Sequence, residues 1–232
     1  IGEPVFANND LTLGAGFTSA FTGRVIGNSK LIGDMVAGQQ LRLVGLPAYG
    51  TATLTLQQAT EMAGEFYLSS EGGGYAAVLQ DSGNGLTNTG LLQFDVGQGG
   101  TRTLRAAFVN EGTVQVNHPL ALSTGSYVNQ ATWNVVSGAH VQFGNSLVFT
   151  QADGTLTIDG TWEHPNGTAN FVGGSVVGEP LFSNTDLVMD PAFTSPFTGR
   201  TRGTNSLTGD IQTGQKMTLQ GDATYGAATM NL

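Results

Sequence analysis

Three histidines are the side chains of this sequence best suited to bind a metal ion. His140 lies 22 positions after His118, and His164 follows them. If the chain coils with that period, His118 and His140 stack, and stacked imidazoles could share a zinc ion. The chain has no cysteine and neither an HxH nor an HExxH motif. We therefore interpret the histidines as a polar, half-buried column and predict no metal site.

Carboxylates are the second group that could support catalysis. Enzymes that cleave glycans gather two or three carboxylates on one face. The central acids are scattered, at Asp81, Asp95, Glu111, Asp153, Asp159 and Glu163. The residues 22 positions after Asp95, Glu111 and Asp153 are Asn117, Trp133 and Ser175, none of which is acidic. We predict no catalytic residue and no cofactor. Aromatic side chains that could stack on sugars, or belong to the core, are Tyr67, Tyr75, Trp133 and Trp162.

Short strands are the elements that must position these side chains. Runs such as GTVQVN, AHVQFGN and GTLTIDGTW alternate polar and apolar residues and are bounded by Gly, Asn or Asp. This pattern predicts strands and turns. Residues 56–64 (LQQATEMAG) are the only candidate helix and are short. The Gly-rich segment 71–85 is interpreted as a loop.

A short repeat runs through the middle of the chain, in which similar residues return after 22 positions. An apolar series contains Leu92, Val114, Val136 and Ile158, and an aromatic core series contains Tyr127, Phe149, Phe171 and Phe193. The repeat predicts an all-β fold, a parallel β-solenoid with about 22 residues per coil and like residues stacked about 4.8 Å apart. A right-handed β-helix suits this coil length better than the left-handed hexapeptide type. A β-sandwich is the alternative, but it would not produce columns at this spacing.

A much longer repeat spans the whole chain. Residues 1–56 return as residues 177–232 without a gap, and 27 of the 56 positions are identical. We predict that residues 1–232 form one continuous solenoid, in which residues 1–176 are one unit of about eight coils and residues 177–232 begin the next. The shared charged residues are Glu3 and Glu179, Arg24 and Arg200, and Asp34 and Asp210. We interpret them as a salt bridge or turn cap at a fixed place in each unit, or as a contact between neighbouring rods.

The charge balance limits the partners of this segment. Lys and Arg number 8 and Asp and Glu number 17, so the net charge is −9. Nucleic acids and anionic membranes attract cationic proteins, so this charge disfavours both. No apolar run approaches the ~18 residues of a membrane helix. We therefore predict no nucleic-acid partner and no membrane insertion in this segment.

Three phrases suggest a class of proteins: LTNTGLLQF (86–94), FVNEGTVQV (108–116) and FTQADGTLTIDGTW (149–162). They resemble the coil motif of secreted bacterial tandem-repeat β-helix surface proteins, such as autotransporter passengers and filamentous-haemagglutinin-like adhesins. This resemblance implies an extracellular or cell-surface location, which the lack of cysteine fits. We expect a structural component of a rod, fibre or filament that self-associates. An adhesin that binds glycans or host surfaces is the alternative, and a polysaccharide lyase or hydrolase is less favoured.

Overall fold

The fold is a parallel β-solenoid of about 11 turns, as seen in a computed structural model that describes residues 3–232. The chain passes repeatedly through three sheets, which we call A, B and C, always in that order. Every pairing between these strands is parallel, so each sheet stacks strands from successive turns. The prediction of an all-β parallel β-solenoid is confirmed, whereas its right-handed form stays a prediction.

The strands of the three sheets follow one another along the solenoid axis. Sheet A contains β1 (Val5–Ala7), β3 (Phe21–Ile26), β5 (Gln39–Gly45), β8 (Glu65–Ser70), β11 (Leu91–Phe94), β14 (Thr113–Val116), β17 (Thr132–Val135), β20 (Thr155–Ile158) and β23 (Ser175–Val177). Sheet B contains β2 (Asp10–Thr12), β4 (Asn28–Ile32), β6 (Ala52–Leu56), β9 (Ala77–Asp81), β12 (Arg102–Arg105), β15 (Leu120–Thr124), β18 (His140–Phe143), β21 (Thr161–Pro165), β24 (Leu181–Ser183), β26 (Phe197–Arg202) and β28 (Gln215–Leu219). Sheet C contains β7 (Thr60–Met62), β10 (Leu86–Asn88), β13 (Phe108–Asn110), β16 (Ser126–Asn129), β19 (Val148–Gln151), β22 (Thr168–Phe171), β25 (Asp186–Met189), β27 (Thr204–Thr208) and β29 (Thr229–Asn231).

Alternation along each strand builds a single core on the solenoid axis. In β17, for example, Trp133 and Val135 are buried, whereas Thr132 and Asn134 point outwards and are half-buried. Successive side chains of a strand point to opposite faces, so every second residue contributes to the core. The inward residues of all three sheets form one continuous apolar cluster. Removal of this apolar surface from water is the main stabilising contribution of each turn.

The length of the turns varies along the solenoid. Arg24 stacks on Arg42, 18 positions later, whereas Tyr67 stacks on Gln93, 26 positions later, and the average is about 21 residues. The expected fixed period of 22 therefore holds only locally. Leu92 stacks on Val114 as predicted, but Val114 stacks on Trp133 and not on Val136. The corners between sheets can lengthen or shorten without disturbing the stacking of the strands.

One local interpretation from the sequence is wrong, since the Gly-rich segment 71–85, expected to be a loop, contains β9. Residues 56–64, the short candidate helix, contain β7. In both cases the strand is held by its neighbours in the sheet: β9 pairs with β6 and β12, and β7 pairs with β10. Stacking between turns thus overrides the weak strand signal of these sequences.

Some turns have regular strands on only two of their three sides. Near the start of the chain, residues 13–20 and 33–38 cross the sheet C side as loops, between a strand of sheet B and one of sheet A. Near the end, residues 190–196 and 209–214 do the same on the sheet A side. These loops occupy equivalent positions in the two copies of the long repeat.

Candidate functional site

The two copies of the repeat, residues 3–56 and 179–232, fold in the same way at the level of single residues. Asn8 and Asn184 both have a left-handed backbone, with φ of 52° and 51°. Each accepts a hydrogen bond on Oδ1 from a backbone amide 20 positions later, from Asn28 at 2.8 Å and from Thr204 at 2.9 Å. A non-glycine residue with positive φ is uncommon, and asparagine tolerates it best. The repeated sequence therefore specifies a repeated corner.

The second copy nevertheless lies one sheet further round the solenoid than the first. β3 belongs to sheet A and its counterpart β26 to sheet B, while β4 belongs to sheet B and its counterpart β27 to sheet C. Counted along the sheets, the copies are separated by eight turns and one third of a turn. The long unit, expected to contain about eight turns, is thus longer than eight whole turns by one third of a turn.

The repeated arginines form ion pairs with different partners in the two copies. Arg24 lies 2.6 Å from Glu71, whereas Arg200 lies 3.7 Å from Glu179. Glu3, the counterpart of Glu179, is exposed. The backbone around the arginines is the same, because the amides of Arg24 and Arg200 donate to the carbonyls of Pro4 and Pro180 at 2.8 Å and 2.9 Å. That these charges are structural residues of each unit stays a hypothesis.

Asp34 caps the first strand of sheet C. Its Oδ1 accepts a hydrogen bond from the backbone amide of Glu61 in β7 at 2.8 Å. The neighbouring Met35 forms an isolated parallel bridge to Met62 and so covers the edge of that strand. Its repeat counterpart Asp210 is exposed. Asp34 thus satisfies a backbone donor at a sheet edge.

The four aromatic residues expected to form one core column are all buried, but they do not stack as a single series. Tyr127 is in register with Phe149, as the spacing suggests. Phe149 then pairs with Ala169, and Phe171 pairs with Gln151. Phe193 lies in a loop, where its ring is 5.4 Å from that of Phe171. The shorter turn after Phe149 displaces the series by two residues.

The three histidines lie apart and have different surroundings. His118 Nε2 is 2.9 Å from the Gly100 carbonyl, and burial lowers its pKa. His140 is in register with Thr161 and not with another histidine. His164 is fully buried against Phe143, and burial lowers its pKa to about 4. Within residues 3–232, no three histidine or acidic side chains are grouped so that they could hold a metal ion.

The acids of the central region serve mostly as hydrogen-bond acceptors or ion-pair partners. An open groove of about 520 Å³ beside the start of sheet C is lined by Asp34, Glu61 and Glu111 among other residues. Glu61 accepts a hydrogen bond from Thr89 Oγ1 at 3.0 Å. Glu163 forms an ion pair with Arg202. Asp34, Glu61 and Glu111, which are far apart in the sequence, thus line the same groove.

The outer face of sheet A carries the most organised set of polar side chains. Glu65 Oε2 accepts hydrogen bonds from Tyr67 Oη at 2.7 Å and from Gln40 Nε2 at 2.8 Å, which lower the pKa of Glu65. Burial raises the pKa of Tyr67 to about 12. Gln40, Arg42, Tyr67 and Asp95 line a shallow pocket of about 240 Å³. Trp133 and Trp162, in contrast, are core residues and unable to contact a sugar.

Arg102 is a fully buried cation that holds one loop against the solenoid. Its guanidinium donates to the carbonyls of Asp95, Val96, Gly99 and Gly100 at 2.8–3.1 Å, and to Ser70 Oγ at 3.4 Å. Burial lowers its pKa to about 10. Because four of these acceptors are backbone carbonyls of residues 95–100, the guanidinium donors of Arg102 hold this segment in place. The sequence around Arg102 gives no signal of this role.

A buried amide ladder was not anticipated. Asn88, Asn110, Asn129 and Gln151 end successive strands of sheet C and are fully buried. The first three each donate to the next side chain, from Asn88 to Asn110 at 2.8 Å, from Asn110 to Asn129 at 2.8 Å and from Asn129 to Gln151 at 3.0 Å. The recurring LTN, FVN and YVN triplets carry the signal for this ladder. These bonds satisfy most of the amide groups at the corner between sheets C and A. Asn88 Oδ1, at the start of the ladder, has no partner among the described residues.

No helix in the described part of the chain has the length and apolarity that crossing a membrane requires. Comparisons of the chain with known protein families, curated proteins and solved structures find no match.

Proposed function

We propose that this chain is a segment of an extracellular rod or cell-surface filament built from tandem β-solenoid units, each equivalent to residues 1–176. The observation that carries the proposal is that the second copy continues the sheets of the first unit without a break. β24 pairs in parallel with β21, and β25 with β22, so no linker separates the copies. Stacked turns add their nearest-neighbour interfaces, which makes such a rod stiff and hard to unfold.

The shift of one sheet per unit gives the proposed rod a defined symmetry. At about 4.8 Å per turn, eight and one third turns rise about 40 Å. After three units, about 120 Å, the same feature returns to the same side of an untwisted rod. Each repeated surface would therefore face all three sides in succession, which suits lateral association in more than one direction.

Electron microscopy of the native protein tests this function. Long filaments with an axial rise of about 40 Å and a longer period of about 120 Å would support it. Short, separate rods of uniform length would contradict the filament and direct attention to the faces of the rod. An extracellular location is supported by the cysteine-free sequence and by the resemblance to secreted β-helix proteins.

Glycan binding by an adhesin is the second candidate, and the outer face of sheet A favours it. Tyr67, with its half-exposed ring, and the guanidinium of Arg42 lie beside fixed amide and carboxylate groups. Such planar polar groups can donate hydrogen bonds to sugar hydroxyls and accept hydrogen bonds from them. A titration of the chain with soluble neutral polysaccharides checks this candidate. Binding that Tyr67→Ala weakens and Thr157→Ala leaves unchanged would support it.

A further inference from the structure

We propose that residues 3–56 carry a docking surface for the last turn of another unit, a segment equivalent to residues 155–176. This inference rests on the proposed function and names the surface by which one unit joins the next. The occupant is therefore a second copy of this sequence. The second repeat copy shows how the same surface is used.

In the second copy, three phenylalanines form a socket around one side chain of the preceding turn. The rings of Phe182, Phe193 and Phe197 lie 5.9 Å, 5.4 Å and 4.8 Å from the ring of Phe171. All four side chains are almost completely buried. Rings at these distances pack favourably beyond the area they bury. Phe171 therefore anchors the second copy on the turn before it.

The first copy has the same three phenylalanines, Phe6, Phe17 and Phe21, which we call the aromatic socket. Phe6 and Phe21 both approach Gly23, and the rings of Phe17 and Phe21 are 5.6 Å apart. Phe17 is 43% exposed, whereas its counterpart Phe193 is 1% exposed. The socket is thus formed in advance, with an apolar surface equivalent to the one that Phe171 covers in the second copy.

Polar contacts of the second copy define the rest of the surface. Ser195 Oγ donates to the Gly174 carbonyl at 2.6 Å, and the Asp186 amide donates to the Gly167 carbonyl at 2.8 Å. The counterparts Ser19 and Asp10 are exposed in the first copy. Among the described residues, β1 and β2 pair with strands on one side only. An open strand edge of this kind is a template for a further parallel strand.

One contact distinguishes the two docking surfaces. Arg202 pairs with Glu163, which lies two turns earlier in sheet B, and the first copy has the buried Ile26 at the position of Arg202. Docking onto the first copy would therefore lack this ion pair. A partly exposed ion pair contributes little to stability, so the aromatic socket and the strand edges remain the main determinants.

An extended chain tests the inference. Residues 111–176, three turns of the solenoid, are fused before Ile1 of the full chain, so that Val176 is followed by Ile1 as it is naturally followed by Val177. The chain has no cysteine, so Ser19→Cys introduces a single reactive thiol. We expect its labelling rate to fall at least about tenfold in the extended chain relative to the original chain, because opening of the docked turn would limit access.

Ser195→Cys is the matched control and should label slowly in both chains. Equal labelling rates of Ser19→Cys with and without the extension would overturn the inference. In the extended chain, Phe171→Asp in the added segment should restore fast labelling, and continued protection would contradict the role of the aromatic socket. If Ser19→Cys labels slowly in the extended chain but the micrographs show no filaments, the docking surface is supported and the proposed filament is rejected. If filaments form but Ser19→Cys labels equally fast in both chains, the units join by another surface.

Discussion

Gln39 and Gln215 occupy equivalent positions in the two copies of the repeat and hold equivalent loops with the same three hydrogen bonds, although they belong to different sheets. Gln39 Nε2 donates to the carbonyls of Phe17 and Ser19 at 3.0 Å and 3.4 Å, and its Oε1 accepts from the Val36 amide at 3.1 Å. Gln215 makes the equivalent bonds at 2.7 Å, 3.2 Å and 2.8 Å. Local sequence therefore fixes the loop, while the number of residues between the copies fixes the sheet in which it lies.

The first prediction concerns this loop clamp. Gln215→Ala leaves two carbonyls and one amide without their partner, and each buried unsatisfied group costs about 1–3 kcal/mol. We expect faster amide hydrogen exchange at Gln212, which loses its acceptor. Lys216→Ala, an exposed neighbour, is the control and should leave exchange unchanged. Equal exchange at Gln212 in both variants would show that the glutamine does not hold the loop.

The second prediction concerns the amide ladder. Asn110 is an inner member, since it accepts from Asn88 and donates to Asn129 and to the Thr132 carbonyl at 2.9 Å. Asn110→Ala should reduce the free energy of unfolding by roughly 2–4 kcal/mol, because partners on both sides lose a buried hydrogen bond.

Asn170→Ala provides the comparison for the ladder, because Asn170 is half-buried and donates only to Thr150 Oγ1 at 3.2 Å among the described residues. Its effect should stay below about 1 kcal/mol. Urea denaturation followed by circular dichroism measures both variants. If the two substitutions shift the midpoint equally, the ladder contributes no more than an ordinary surface hydrogen bond.

The register of the solenoid shows what the sequence could and could not predict. Alternation and near-regular spacing were sufficient for the fold, and the step from Tyr127 to Phe149 was predicted correctly. The step from Phe149 to Phe171 was not, because the intervening turn is two residues shorter and Ala169 takes the place beside Phe149. Corner length is set by loop residues whose conformation depends on the turn above and below. A single sequence does not display that dependence.

The contacts of the charged side chains were less predictable, also because the turns differ in length. Arg24 and Arg200 are visible as repeated residues, but the partner of Arg24 is Glu71, which lies outside the repeated segment. Contacts across two turns cannot be read from a repeat alignment when the turn lengths vary. Arg102 likewise gives no sequence signal of its burial, because its acceptors are mostly backbone carbonyls.

The third prediction concerns the loop around Arg102. Arg102→Lys retains the charge but has three donors on one nitrogen in place of the guanidinium fork. At least two acceptors should lose their partner, so we expect a loss of roughly 2–5 kcal/mol in stability. Limited proteolysis should then cut within residues 95–101. Arg105→Lys, at an exposed position, is the control, and cleavage at the same rate in both variants would contradict the clamp.

The fourth prediction concerns the stability of the solenoid in acid, through His164. Its pKa in the folded chain is about 4, below the ordinary value of 6.5, because burial disfavours the imidazolium. The unfolded chain therefore takes up a proton at higher pH than the folded chain. The contribution of His164 is fully present above pH 6.5 and is lost as the pH falls towards 4. A shift of this size corresponds to ~3 kcal/mol.

His164→Leu, which keeps an apolar side chain of similar size against Phe143, should remove this part of the acid sensitivity. The measurement compares the urea midpoint at about pH 7.5 with that at about pH 4.5, on either side of the ordinary histidine pKa, for the original chain, for His164→Leu and for His140→Gln. Protonation of carboxylates affects all three chains alike, so it cancels in the comparison. We expect the smallest loss in His164→Leu, with His140→Gln close to the original chain because His140 is half-buried and contacts Thr161 Oγ1. An equal loss in all three would mean that the buried imidazole plays no part in acid unfolding.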